Sequence, residues 1–257
     1  MKSWITAAAA AALLTAVFAG TASANHSWGT YHWARTANPF TVRVIDANSP
    51  SWDGHLNAAI ADWASTVLNV VREGGNEEKR CRAVAGKVKS CNGNYGQNGW
   101  LGLAQIWLNG GHISQGTAKM NDTYFSMPQY NDPTKRQHVM CQEIGHDWGL
   151  GHQDESGADL NTCMDYSSKL DNPDPNSHDH QQLVTIYGSH LDSTNSAASA
   201  GLAGEENAKP ERVERNDRIA DSVITETYRD GSQKVTHVFW ALETRGRAAG
   251  HAFGEGE

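Results

Sequence analysis

Gln142-Glu143-Ile144-Gly145-His146-Asp147-Trp148-Gly149-Leu150-Gly151-His152 is the stretch on which the reading of the whole chain turns. Residues 136–148 keep a helical period and predict a helix that ends at Gly149. Gln142 and His146 stand four apart on it, so their side chains leave one face and can converge on one ion. Glu143 is their neighbour on the same helix. At Gly149 the helix must stop, and a glycine there can take the left-handed conformation that turns the chain back. His152 is thereby carried toward the same point, and Trp148 is expected to pack in the core. Asp154 is expected either to orient a histidine or to cap the following turn.

With Met164 in Cys163-Met164-Asp165-Tyr166 added, the stretch resembles the signature of the metzincin zinc metalloproteases, H-E-x-x-H-x-x-G-x-x-H followed by a methionine turn. The short interval from His152 to Met164 resembles the secreted, matrixin-like branch. Tyr166, two after Met164, resembles the astacin-like and serralysin-like branches, where a tyrosine approaches the metal and can stabilise the oxyanion. By layout the resemblance covers residues 28–191, and its specific motifs cover residues 142–166. It implies Glu143 as general base, His146 and His152 as metal ligands, Gly149 as the turn glycine, Met164 as the turn methionine and Tyr166 as a catalytic candidate. Gln142 stands where the family has its first histidine. An amide oxygen is a weaker donor to zinc than imidazole, so as a ligand Gln142 should hold the metal less tightly. His138 lies two turns from His146, too far to share its ion.

The implied fold is α+β: a metzincin-like catalytic domain with a twisted mixed β-sheet, an active-site helix, a Met-turn and a C-terminal helix, with an appended C-terminal β-hairpin. The implied activity is that of a secreted zinc-dependent metalloendopeptidase with one catalytic Zn2+, in which Glu143 takes the proton of the water held at the metal. Protein or peptide would be the substrate, an extended chain docking on an edge strand sought within residues 112–120. The alternative is a catalytically impaired protein of the same fold that binds peptides or proteins, with Gln142 marking the lost metal.

Elsewhere the chain is read from pattern. Residues 40–45 alternate as a half-buried strand. Leu56, Ile60, Trp63, Val67 and Val70 recur at helical spacing and predict a helix stopped by Gly74-Gly75. Residues 76–101 read as a long polar loop, residues 102–108 as a buried strand, and Asn109-Gly110-Gly111 as a turn. One or two strands are expected within residues 112–125, interrupted at Gly116 and at Asn121-Asp122. A last helix is expected over residues 181–187, and strands over 222–228 and 234–241 flank the hairpin signal Asp230-Gly231. The expected division is 1–24 signal peptide, 25–192 protease domain, 193–212 flexible linker and 213–257 hairpin and tail.

Lys2, the apolar run over residues 7–19 and Ala22-Ser23-Ala24 have the form of a cleaved export signal, so secretion is expected, with no membrane association after cleavage. In an oxidising compartment Cys81, Cys91, Cys141 and Cys163 should pair. Of three connectivities, Cys81 with Cys91 and Cys141 with Cys163 closes two short, turn-rich loops. A net charge of -8, from 29 acidic and 21 basic residues, excludes a nucleic-acid partner. A monomer is expected. Residues 171–180 form an acidic loop that could take Ca2+ but lacks the EF-hand pattern. The nine tryptophans show no repeat that would suggest a carbohydrate-binding module. Asn121-Asp122-Thr123 fits a glycosylation sequon. His32, His112, His190 and His237 show no partnered metal spacing.

Overall fold

The computed structural model describes residues 26–154, 156–167, 169–195, 208–218 and 220–244. The segment expected to be an export signal, residues 196–207 of the expected linker and the expected tail beyond residue 244 lie outside them. In chain order come β1 (His32–Trp33), β2 (Phe40–Ala47), α1 (Asp53–Trp63), β3 (Leu68–Gly74), β4 (Lys87–Gly93), β5 (Trp100–Asn109) and β6 (His112–Asn121). Then follow α2 (Asp122–Phe125), α3 (Pro133–His146), α4 (Ser177–Gly188), β7 (Arg212–Asp217), β8 (Asp221–Thr227) and β9 (Gln233–Trp240). The result is a mixed α+β architecture in which one sheet dominates and the helices are few. Among the described residues no helix is long and apolar enough to cross a membrane.

The nine-stranded sheet runs β3-β2-β4-β6-β5-β9-β8-β7, with β1 alongside β6. β3, β2, β4 and β6 are mutually parallel, while β5, β9, β8 and β7 each run antiparallel to their neighbour. α1 and α3 lie together over the sheet, joined by a bond of 2.9 Å from the Trp63 indole to the Cys141 carbonyl. Trp63, Leu56, Val139, Met140 and Ile144 belong to one core with Val44, Val88 and Ile106 of the strands.

Three expectations need correction. The helix predicted through Val70 ends at Trp63, because Ala64 turns extended and the Ser65 hydroxyl accepts from the Leu68 amide at 3.2 Å. Val67 and Val70 fit a period of three, but Leu68-Asn69-Val70 also alternates, and the β-branched Val70 and Val71 suit a strand. The presumed loop over residues 76–101 contains β4, an interior strand whose Lys89 and Ser90 are buried yet partnered by Glu78 and Asn48. Its polar surface disguised a central position. Finally, residues 112–120 are not an edge: β6 runs unbroken between β4 and β5, and at Gly116 a side chain would strike Asp147.

Asp230-Gly231 turns the chain between β8 and β9, with Gly231 at φ +80°. This hairpin does not stand apart. β9 pairs along β5 from Trp100 opposite Trp240 to Leu108 opposite Gln233, extending the central sheet.

Candidate metal centre

The floor of the site is local in sequence. α3 starts cleanly, with Pro133 in its first turn and the Asp132 carboxylate accepting from the Thr134 amide at 2.7 Å. It then buries Gln142, Glu143 and His146. Gly149, at φ +85°, reverses the chain, and a Cβ there would run into the Tyr31 carbonyl. The N-terminal segment grips the turn: the Trp28 amide donates to the Gly149 carbonyl and the Gly151 amide to the His26 carbonyl, both at 2.6 Å. His152 is thus brought edge-on to His146, ring centres 5.1 Å apart, with its Nε2 3.2 Å from Gln142 Nε2.

Met164 lies beneath the helix. Its Sδ sits 2.6 Å from where a Cβ on Gly145 would be, so only glycine lets the two meet. The Cys141–Cys163 disulfide ties the helix to this turn, and Cys81–Cys91 joins the start of the preceding loop to β4. The former closes a loop of 22 residues, worth about 3 kcal/mol in chain entropy.

The roof comes from far along the chain. On β9, His237 occupies the face shared by Val235 and Phe239, and its ring lies 3.9 Å from that of His146 and 5.1 Å from that of His152. Its Nδ1 donates to Glu143 Oε2 at 3.2 Å and its Nε2 to Asp221 Oδ2 at 2.9 Å. Asp221, at the start of β8, also faces His152 Nδ1 at 3.4 Å and accepts from the Tyr166 hydroxyl.

Burial alone would strip the proton from His237, but the Glu143 and Asp221 carboxylates on either side outweigh it and raise its pKa to about 9. Burial likewise raises Glu143, an effect His237 offsets only in part. Asp221 is pulled down despite its burial by His237, His152 and Tyr166. His146 is driven well below its usual value by burial and by His237 and His152, and burial takes His152 down to about 3 against the pull of Asp221. Two neutral imidazoles therefore face an imidazolium.

The donor set suits a metal ion. His146 Nδ1 donates to the Leu150 carbonyl at 2.8 Å, which leaves Nε2 as the lone-pair nitrogen, and that buried atom has no hydrogen-bond partner. Gln142 Oε1 is buried and equally unpartnered. A half-turn of the Gln142 amide exchanges its oxygen and nitrogen, so the atom nearest His152 can be the oxygen. His146, His152 and His237 also place a ring nitrogen each within 4.8 Å of one another. A cavity of about 250 Å³ opens over these groups, lined among others by Trp28, Arg218 and Asp221.

The structure thus brings together Gln142, Glu143, His146, His152, Met164 and Tyr166, and adds Asp221 and His237, to which the sequence reading gave no role. One signal was present: His237 alternates with Val235 and Phe239 on the buried face of a predicted strand. Tyr166 touches the His152 ring at 4.8 Å and is tied to Asp221. His138 points elsewhere, to the Asn172 carbonyl. Asp154 orients no histidine; it caps the turn at Ser156. Asn121 is buried with its amide bonded to Gly96, Asn98 and Trp100, which closes that sequon in the folded chain. Beside the acidic loop, the metal-capable group is His26, His178 and Asp179, a nitrogen-rich set that calcium does not favour.

No protein-family model matches the chain, and no curated protein does. Among solved structures it is similar to that of myroilysin, with a TM-score of 0.37 and 10% sequence identity over 62% of this chain and 97% of that one.

Proposed function

We propose that the chain is a zinc-dependent metalloendopeptidase, exported by its first 24 residues and acting as a monomer on protein or peptide. The observation that carries this reading is the gathering of Gln142, His146 and His152, the first two each with a buried, unpartnered donor atom, beside the buried carboxylate of Glu143. Those three side chains would hold a zinc ion, which when bound would polarise the scissile carbonyl and lower the pKa of a water. Glu143 takes the proton of the attacking water and returns it to the leaving amine. Its burial, which raises its proton affinity, suits both halves of that task. His146 and His152 are kept neutral by burial and oriented by the Leu150 carbonyl and Asp221. An extended substrate would add to the edge of β5, beside Glu143, in place of β9.

In this arrangement β9 occupies that edge and His237 occupies Glu143. Those contacts favour a second reading, in which the folded chain is latent and the C-terminal hairpin must leave before peptide can enter.

The test is purification of the exported chain, metal analysis and a peptide-library digest with and without chelator, for wild type and Glu143→Ala, each with the hairpin intact and after His237→Ala. Chelator-sensitive cleavage that falls by about 10²- to 10⁴-fold in Glu143→Ala, with metal content unchanged, is the expected result. Peptides bound but left intact by every variant would identify the non-catalytic binding protein instead.

A further inference from the structure

Away from this centre, a second set of histidines gathers from three parts of the chain. His32 lies on β1, His112 opens β6, and His190 and Asp192 follow α4. His32 Nε2 is 3.3 Å from His190 Nε2, and Asp192 Oδ1 lies 3.2 Å from His112 Nε2, 3.6 Å from His32 Nε2 and 3.7 Å from His190 Nε2. In a tetrahedral site with metal–donor bonds of about 2.0–2.1 Å, donors stand about 3.3–3.4 Å apart. The distances among His32, His190 and Asp192, whose donors all lie within 4.8 Å of one another, scatter around that edge length, and His112 joins them through Asp192 Oδ1.

The rings do not stack. His32 meets His112 at 86° and His190 at 89°, so the imidazoles approach edge to face. Each ligand is also held from behind. His32 Nδ1 donates to the Thr30 carbonyl at 2.7 Å, which leaves Nε2 as the lone-pair nitrogen, and His190 Nδ1 contacts the Ser189 hydroxyl at 3.1 Å. Asp192 spends Oδ2 on the Arg35 guanidinium at 2.8 Å and the Arg35 amide at 3.1 Å, keeping Oδ1 for the cluster.

Among the described residues Arg35 is the cation that reaches the cluster, with Nη1 3.4 Å from His190 Nε2. Its Nη2 donates to the carbonyls of Tyr187 and His190 at 2.8 and 2.6 Å, and its Nη1 is held on Asp192 Oδ2 at 2.8 Å. Without a cation, two ring nitrogens face each other across 3.3 Å, where a single proton satisfies one direction only.

We propose that His32, His112, His190 and Asp192 form a second metal site, which binds a tetrahedral zinc ion and ties β1 and β6 to the segment after α4. Three imidazoles and a carboxylate are a closed zinc set with no position for substrate. The ion is therefore structural, and it holds the N-terminal segment whose Trp28 and His26 grip the turn at Gly149. This inference does not rest on the proposed peptidase activity.

The experiment strips the exported full-length chain with chelator and titrates it with Co2+, read by its visible absorption and by equilibrium dialysis, for wild type, His32→Ala/His190→Ala and His190→Ala alone. The His190 side chain is 45% exposed, so its loss removes little packing, and the melting temperature of the metal-free form checks the fold. Wild type is expected to bind one equivalent more than the double variant, with at least a tenfold weaker second equivalent in His190→Ala and a metal-dependent rise in melting temperature that the double variant lacks. If wild type binds a single equivalent that the double variant loses, this site stands and the buried centre is the one that fails. If the double variant binds as many ions as wild type with the same affinity, the inference is overturned.

Discussion

The floor and the roof of the buried centre are built in opposite ways. The floor, from Gln142 to Met164, is a short run of chain whose parts are placed by one helix, one reversed turn and one disulfide. The roof is a hairpin nearly a hundred residues away by chain, placed by ladder pairing of β9 with β5 and by two carboxylates around one imidazole. A locally built region is rigid because its geometry is covalent and helical. A docked region is held by removable contacts and can act as a gate.

The largest expected effects separate the two regions by sign. His237→Ala leaves Glu143 and Asp221 buried without their shared cation, a loss of about 3–5 kcal/mol. Trp63→Ala removes an indole packed under the floor, and costs about 3–5 kcal/mol as well. Thermal or denaturant unfolding should find the two variants comparably destabilised. Peptide cleavage should rise in the first, because the β5 edge and Glu143 are released, and fall in the second, because the metal helix loses its support. Equal falls in both would mean that the hairpin is part of the working enzyme and not its cover.

The same contrast explains what could be read from sequence. Gln142, His146 and His152 were legible because helical spacing and a left-handed glycine are local constraints. Cys141–Cys163 was legible for the same reason, as a short loop. His237 was not, since nothing in its neighbourhood states which strand will lie beside β9; strand pairing is settled by long-range packing. β4 was missed because burial of Lys89 depends on Glu78 being there to meet it. The helix predicted through Val70 failed where two periods fit the same valines. The surface histidines were invisible because three separate segments supply them.

Position 142 gives a smaller, sharper probe of the floor alone. Gln142→His replaces an amide with an imidazole where Gln142 lies 3.2 Å from His152 Nε2, and should raise zinc affinity at the buried centre at least about tenfold, the scale on which even outer partners of a ligand act. Competition with a chromophoric chelator measures it, with the surface site removed by His32→Ala/His190→Ala. Unchanged affinity would show that position 142 is outside the coordination shell.

Tyr166 joins the two regions, since its ring lies on His152 and its hydroxyl donates to Asp221 of the hairpin. The resemblance gives a tyrosine at this place an oxyanion role; its bond to Asp221 makes it a latch. Tyr166→Phe keeps the ring and deletes the donor, leaving a buried carboxylate one bond short, which costs about 1–3 kcal/mol. If the latch reading holds, that cost appears as easier release of the hairpin, seen as faster amide exchange along β9 and a modest rise in cleavage. If the oxyanion role dominates, cleavage falls by about 10²- to 10³-fold while exchange along β9 stays as it was. The two outcomes move different observables, because a hydroxyl committed to Asp221 cannot also face a substrate carbonyl until the roof has lifted.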